Sequence, residues 1–221
     1  MPSFAARRCA RAIAFIAVLA TVCSAASAAF PEKPVRLVVP FAPGGGTDLI
    51  ARTLGAEMAK DLGQPVIVDN KPGAGTIIGT DNVAKSAPDG YSLVVASFAH
   101  AVNPALQAKL PYGSNKAFAP VILIGRGPNV LVVPAASPYK TVADVMAAAK
   151  ASPDKLTYAS QGAGTSAHLA GELFANLAKV RLTHVPYRGA GPALTDLMGG
   201  QVDMMFATAA AVSTLIDNGK L

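Results

Sequence analysis

The sequence predicts an α/β protein with mainly parallel sheet, and three observations carry that prediction. Short β-branched runs alternate with Ala-rich stretches of helical spacing, the order expected when helices cover the faces of a sheet. The strand runs are apolar almost throughout, as strands buried on both faces are. A strand, a glycine-rich loop and a helix start recur together three times, at PFAPGGGTD (40–48), NKPGAGTIIG (70–79) and YASQGAGTSAH (158–168).

In chain order, residues 1–29 read as an export signal. Arg7, Arg8 and Arg11 form a basic start, 12–20 is apolar, and Ala26-Ser27-Ala28 fits a small-residue cleavage site. The apolar stretch is well short of the ~20 residues that span a bilayer. Strands are then expected at 35–39, 66–68, 92–96, 121–124, 130–133, 156–159, 182–185 and 202–206, where β-branched residues cluster. Helices are expected at 48–62, 77–86, 142–151, 166–177, 191–198 and 211–217. In the first of these Ile50, Leu54, Met58 and Leu62 recur every four residues, which predicts a buried stripe. Gly63 and Gly199 stand where C-terminal caps belong. In each of the three glycine loops a Thr (Thr47, Thr76, Thr165) stands where a side-chain cap would start the helix.

Composition excludes several chemistries. Both cysteines, Cys9 and Cys23, lie in the signal, so the remaining chain has no disulfide and no thiolate metal site. Removing the three signal arginines takes the net charge from +6 to +3, with the basic residues scattered, which is no nucleic-acid footprint. About 190 residues remain, enough for one large or two small domains. Helix N-termini carry unpaired N–H donors and a positive dipole end, so the glycine loops suit anions. Glycine removes the Cβ that would hold a ligand off. Ordinary strand-to-helix turns would have the same composition. None of the loops supplies the Gly-Lys-Ser/Thr of a P-loop. The run 162–167 satisfies the loose dinucleotide pattern, but the position some twenty residues on, around His184, carries no acid for a ribose. Ser166 lacks the glycine at 168 that a nucleophile elbow needs. The one i,i+4 pair of a histidine with an acid, His168 with Glu172, is a poor metal site.

Several long segments resemble a known family in the same order: KPVRLVVPFAPGGGTDLIAR, LGQPVIVDNKPGAGTIIGTDNVAKSAPDGYSLV, LTYASQGAGTSAHLAGELF, HVPYRGAGPALTDLMGGQVDMMF and the final GKL. The family is the Bug-type extracytoplasmic receptors, the substrate-binding proteins of tripartite tricarboxylate transporters. The resemblance runs from Phe30 to Leu221. It implies a type II periplasmic-binding-protein fold, two α/β lobes around a cleft. Lobe 1 would be 30–123 and lobe 2 would be 124–221 with a crossover strand. The return of the chain to lobe 1 would be missing where the sequence stops at Leu221.

It also implies a periplasmic receptor, not an enzyme, that binds a small carboxylate and hands it to a membrane permease. No cofactor, metal, catalytic residue or nucleic acid is implied, and the receptor would be a monomer if the chain is complete. Carried over by position, the first loop contributes Phe41, Pro43, Gly44, Gly45, Thr47 and Asp48, with Asp48 ordering the loop. Ser97 and Phe98 belong near the cleft. The other lobe contributes Thr165, Ser166, His168 and Tyr187. Ala207 stands where the family usually has an acid, which puts an amino-acid ligand in doubt. Two alternatives stand beside this expectation: an exported hydrolase or oxidoreductase using the 162–168 loop, and a non-functional receptor fragment.

Overall fold

A computed structural model describes residues 30–114 and 116–221, of which Lys33–Leu221 forms one compact unit. The signal reading of 1–29, with its cysteines, lies outside the described residues. Strand β1 (Val35–Val39) is almost wholly buried and central, because its apolar run can face helices on both sides. It pairs in parallel with β2 (Val66–Asn70) and β3 (Ser92–Val94), giving the order β2-β1-β3. Helix α1 (Gly46–Leu62) links β1 to β2 and stops at Gly63. That residue takes the left-handed conformation (φ 64°) and donates its N–H to the Ala59 carbonyl. Helix α2 (Ile77–Ala84) returns the chain to β3, and α3 (Phe98–Leu106) follows it. Leu37, Val39, Phe41, Ala51 and Val95 form the core of this first lobe.

The second sheet has the order β4-β7-β5-β6, from β4 (Asn129–Val132), β5 (Thr157–Ser160), β6 (Thr183–Pro186) and β7 (Met204–Thr208). Strand β4 runs antiparallel to β7, and the others are parallel. Alternation along the strands builds a core on each face of this sheet. Tyr158, Met204 and Phe206 pack on one side with Val145, Ala149 and Phe174 of α4 (Val142–Ala151) and α5 (Ser166–Ala178). Ala159, Met205 and Ala207 pack on the other with Ala193, Leu194, Leu197 and Val212 of α6 (Ala190–Met198) and α7 (Ala209–Asp217).

Three expectations need correction. Residues 121–124 form no strand: Val121, Ile122 and Leu123 are 66–78% exposed and no described strand pairs with them. A β-branched run becomes a strand only beside a hydrogen-bonding neighbour. Second, α3 was not expected, since Pro104 sits inside it. Ser97 caps it by accepting the Ala99 N–H, and Ala99 and Asn103 anchor its buried face. Third, the buried residues of α1 are Gly46, Asp48, Ala51 and Gly55, not the 50/54/58/62 stripe, and Ile50 is exposed. The helix lies close on β2 through small residues. A Cβ on Gly55 would meet the Val66 side chain at 3.3 Å.

Candidate functional site

In each lobe the parallel strands deliver their loops to one edge, where helices begin, and those edges face each other across a seam. Ala42 donates its backbone N–H to the Arg188 carbonyl across it at 2.9 Å. The 42–46 loop lies directly on the starts of α6 and α7. A Cβ on Gly45 would stand 3.1 Å from Ala190 Cβ, and one on Gly46 3.0 Å from Thr208 Oγ1 and 3.4 Å from the Ala211 nitrogen. A Cβ on Gly191 would overlap the Pro43 carbonyl oxygen. Helices α1, α6 and α7 therefore begin together, and no side chain caps any of the three. Their positive dipole ends converge on one place, which favours an anion there, while the Ala209 N–H at the start of α7 already donates to the Pro128 carbonyl at 3.0 Å. A second contact lies beside it. Gly75, at φ +59°, brings the 73–76 turn so close to 162–164 that its Cβ would be 2.5 Å from the Ala163 carbonyl oxygen.

Asp48 is buried, and four donors surround its carboxylate: Gly44 N–H (3.1 Å), Arg52 Nε and Nη2 (both 3.0 Å) and Asn70 Nδ2 (2.9 Å). Burial by itself raises its pKa. The bonds from Arg52, Asn70 and Gly44 outweigh burial and hold the group below the ordinary 3.8. Asn70 also donates to the Phe41 carbonyl and accepts from Arg52, so it ties both ends of the 41–48 loop. Asp48 thus orders the loop and stays ionised with its acceptor sites occupied.

The other expected site residues divide. Phe41 is 4% exposed and belongs to the first-lobe core. Pro43 and Gly44 are exposed at the seam. Thr47 is the second residue of α1, not its cap, and is half-buried, its hydroxyl making no hydrogen bond to a described residue. Ser97 caps α3, and Phe98 beside it is 54% exposed. Thr165 alone of the three loop threonines is a side-chain cap. Its hydroxyl accepts from the His168 N–H at 3.5 Å and donates to the Gly162 carbonyl at 2.7 Å. Ser166 donates to Asn129 Oδ1 at 3.3 Å, and His168 Nδ1 accepts from Gly164 N–H. No Ser166–His168 bond is present, so the 162–168 loop does not assemble a nucleophile with its base. Tyr187 turns its hydroxyl to Asp196 (2.7 Å); burial, then that carboxylate, pushes its pKa up to about 12. Ala207 is fully buried, where an ionised acid would lack water.

Sequence reasoning did not single out Asn70, Asn103, Asn129 or Ser160. Ser160 is fully buried and bonds His184 Nε2 at 2.7 Å. The His184 ring lies against His168 (4.3 Å) and Tyr158 (4.8 Å). Burial, and then the neighbouring His168, push its pKa down to about 4. The sequence signal for Asn70, Asn129 and Ser160 is only that each lies at a strand end, and Asn103, inside α3, carries none. Two open concavities, of about 590 and 340 Å³, are lined by no residue of the seam loops. Among the described residues no group of His, Cys, Asp and Glu is placed to hold a metal, and no helix is long and apolar enough to cross a membrane.

The sequence matches the family described as tripartite tricarboxylate transporter family receptor over residues 50–221. It is 48% identical over 177 residues to a protein from the tcbD–tcbE intergenic region of Pseudomonas sp. strain P51, covering 80% of this chain and 53% of that one. It is 38% identical to Protein BugT of Bordetella pertussis, covering 94% and 64%. Among solved structures, MatC of Rhodopseudomonas palustris with bound malate superposes with TM-score 0.81 at 39% identity, covering 86% of this chain and 65% of that one. Rpa4515 of R. palustris with adipate gives TM-score 0.83 at 36% identity, covering 86% and 64%. The chain thus spans 53–65% of the length of these proteins.

Proposed function

We propose that this chain, which belongs to the tripartite tricarboxylate transporter receptor family, is an exported solute-binding receptor that captures a small carboxylate between its lobes. Lobe 1 would comprise 30–123 and lobe 2 would comprise 124–221, and a membrane permease would take the ligand onward. The observation that carries the reading is the convergence of three helix N-termini without side-chain caps, those of α1, α6 and α7, at a seam between two lobes. A carboxylate seated there would satisfy N–H donors that otherwise face each other. Solved relatives with malate and with adipate support the same ligand class. The acid would sit between the 43–48 loop and the second-lobe residues Thr165, Ser166 and His168, with Ser97 and Phe98 at the mouth. Because the occupied Asp48 has no acceptor left for an ammonium group, acids without an amine fit this site better than amino acids.

The test is calorimetric titration with malate, adipate, citrate, nicotinate and glutamate, on the parent and on Gly45→Val. Gly45 has φ −95°, which a branched residue adopts without backbone strain. Its side chain, however, meets Ala190 and occupies the seam. The expected result is binding of at least one amine-free acid by the parent. Gly45→Val should lose it by tenfold or more while its melting temperature stays within a few degrees. Unchanged affinity would show that the glycines serve only the turn.

A further inference from the structure

Strands β4 and β7 meet the seam with a polar pair that the site described above does not include. Asn129 stands opposite Thr208 in the antiparallel register, and opposed residues of such a pair share a face of the sheet. Two residues along, Leu131 and Phe206 pack on the side of α4 and α5, so Asn129 and Thr208 belong to that side. There the Ser166 hydroxyl, at the start of α5, donates to Asn129 Oδ1 at 3.3 Å. Both members of the pair are half-buried. With Oδ1 engaged, the Asn129 amide has Nδ2 left over, and no described residue accepts from it. Thr208 precedes α7 without capping it, and its hydroxyl has no partner among the described residues either. The first lobe comes up to this pair: α1 packs on α7, and the Gly46 backbone lies against the Thr208 hydroxyl. Two uncommitted neutral donors thus stand side by side where the lobes meet.

A donor drawn out of water is costly unless an acceptor arrives. A carboxylate at the α6 start is not that acceptor. Helices α6 and α7 cover the opposite face of the sheet, with Val130 and Ala207, so the two sets of donors lie on either side of the sheet edge. One carboxylate cannot serve both sides, whereas an acid with a carboxylate at each end can. We infer that Asn129 and Thr208 are specificity-determining residues that receive the second carboxylate of a dicarboxylic acid. The inference rests on the receptor reading above. Selection works through the penalty for the wrong ligand: an acid ending in a methyl group leaves both donors unpaired.

The test titrates the full chain with two pairs of acids of equal length, adipate against hexanoate and succinate against butyrate. Within each pair only the second carboxylate differs. The parent should prefer at least one diacid over its partner tenfold or more. Asn129→Asp keeps the size and the Ser166 bond but puts an anion where the donor was. It should weaken that diacid tenfold or more and leave the monoacid within about twofold. Thr208→Val keeps the shape and loses one neutral bond, so the diacid should weaken about fivefold. Neither change takes a partner from another described residue, so melting temperatures without ligand should match the parent's. A purely structural role would instead lower the melting temperature and weaken both acids alike. An unchanged ratio of diacid to monoacid affinity in both variants would overturn the inference. Equal binding of diacids and monoacids by the parent would overturn it as well and leave the receptor reading standing. Binding of no acid by the parent would overturn both.

Discussion

At the scale of single residues, buried Asp48 and half-buried His184 set the pH behaviour. Asp48 holds the 41–48 loop through four donors, and bonds to a charged group contribute more than neutral ones. Asp48→Asn keeps the shape and loses the charge, so stability in urea at pH 7 should fall by about 2 kcal/mol. Because the folded carboxyl titrates below 3.8, its contribution is present above that value and is lost as the pH falls through the folded pKa. Parent and variant should converge in acid. His184 has the opposite sense. It stays neutral in the fold down to about pH 4, whereas the unfolded side chain takes up a proton near 6.5. The unfolded state binds more protons across that window, so stability should drop by up to roughly 3 kcal/mol as pH falls through it. His184→Gln should flatten the drop in urea titrations at successive pH values. An equal slope in the variant would place the titration elsewhere.

At the scale of elements, glycines set how closely helices approach strands. Gly171 of α5 lies on Tyr158 of β5, and a Cβ there would overlap the ring. Tyr158 has no room to yield: it is fully buried, its hydroxyl donates to Glu172, and its ring lies on His184. Gly171→Ala gains helix propensity of about 1 kcal/mol but overpacks at 1–3 kcal/mol. A net loss of about 1 kcal/mol, read as a lower melting temperature, is expected; a rise would mean that α5 can shift outward. The strand–helix alternation was legible in the sequence because β-branched and Ala-rich runs announce it locally, and the glycine loops mark where the lobes meet. Helix α3 was not legible, since Pro104 argues against a helix and its support comes from Ala99 and Asn103 packing on distant chain. Nor were the loop threonines, which share one pattern while only Thr165 caps. The polar ties at the site escaped for the same reason. Asn70 reaches Asp48 across 22 residues and Asn103 reaches Thr76 across 27, separations at which no spacing rule applies.

At the scale of the molecule, the described chain passes from the first sheet to the second once, through residues 107–128, among whose described residues there is no helix or strand. Residues 119–128 are all exposed, and Lys116 and Arg126 offer cleavage points at either side of the apolar run 121–124. Trypsin should therefore cut there first, ahead of sites within α1 to α7, as mass spectrometry of a short digest would show. A first cut inside either lobe would contradict the exposure pattern. That single crossing has a thermodynamic meaning. While the peptide is intact, each lobe meets the other at an effective concentration in the millimolar range, which a short flexible linker imposes. The seam needs only millimolar strength to stay shut under those conditions. Once nicked, the same contacts become a bimolecular equilibrium, and at micromolar protein the halves should separate on gel filtration. An acid that touches both halves would then act as their glue, and the concentration of it needed to restore co-elution would measure how much of the closure free energy the ligand supplies.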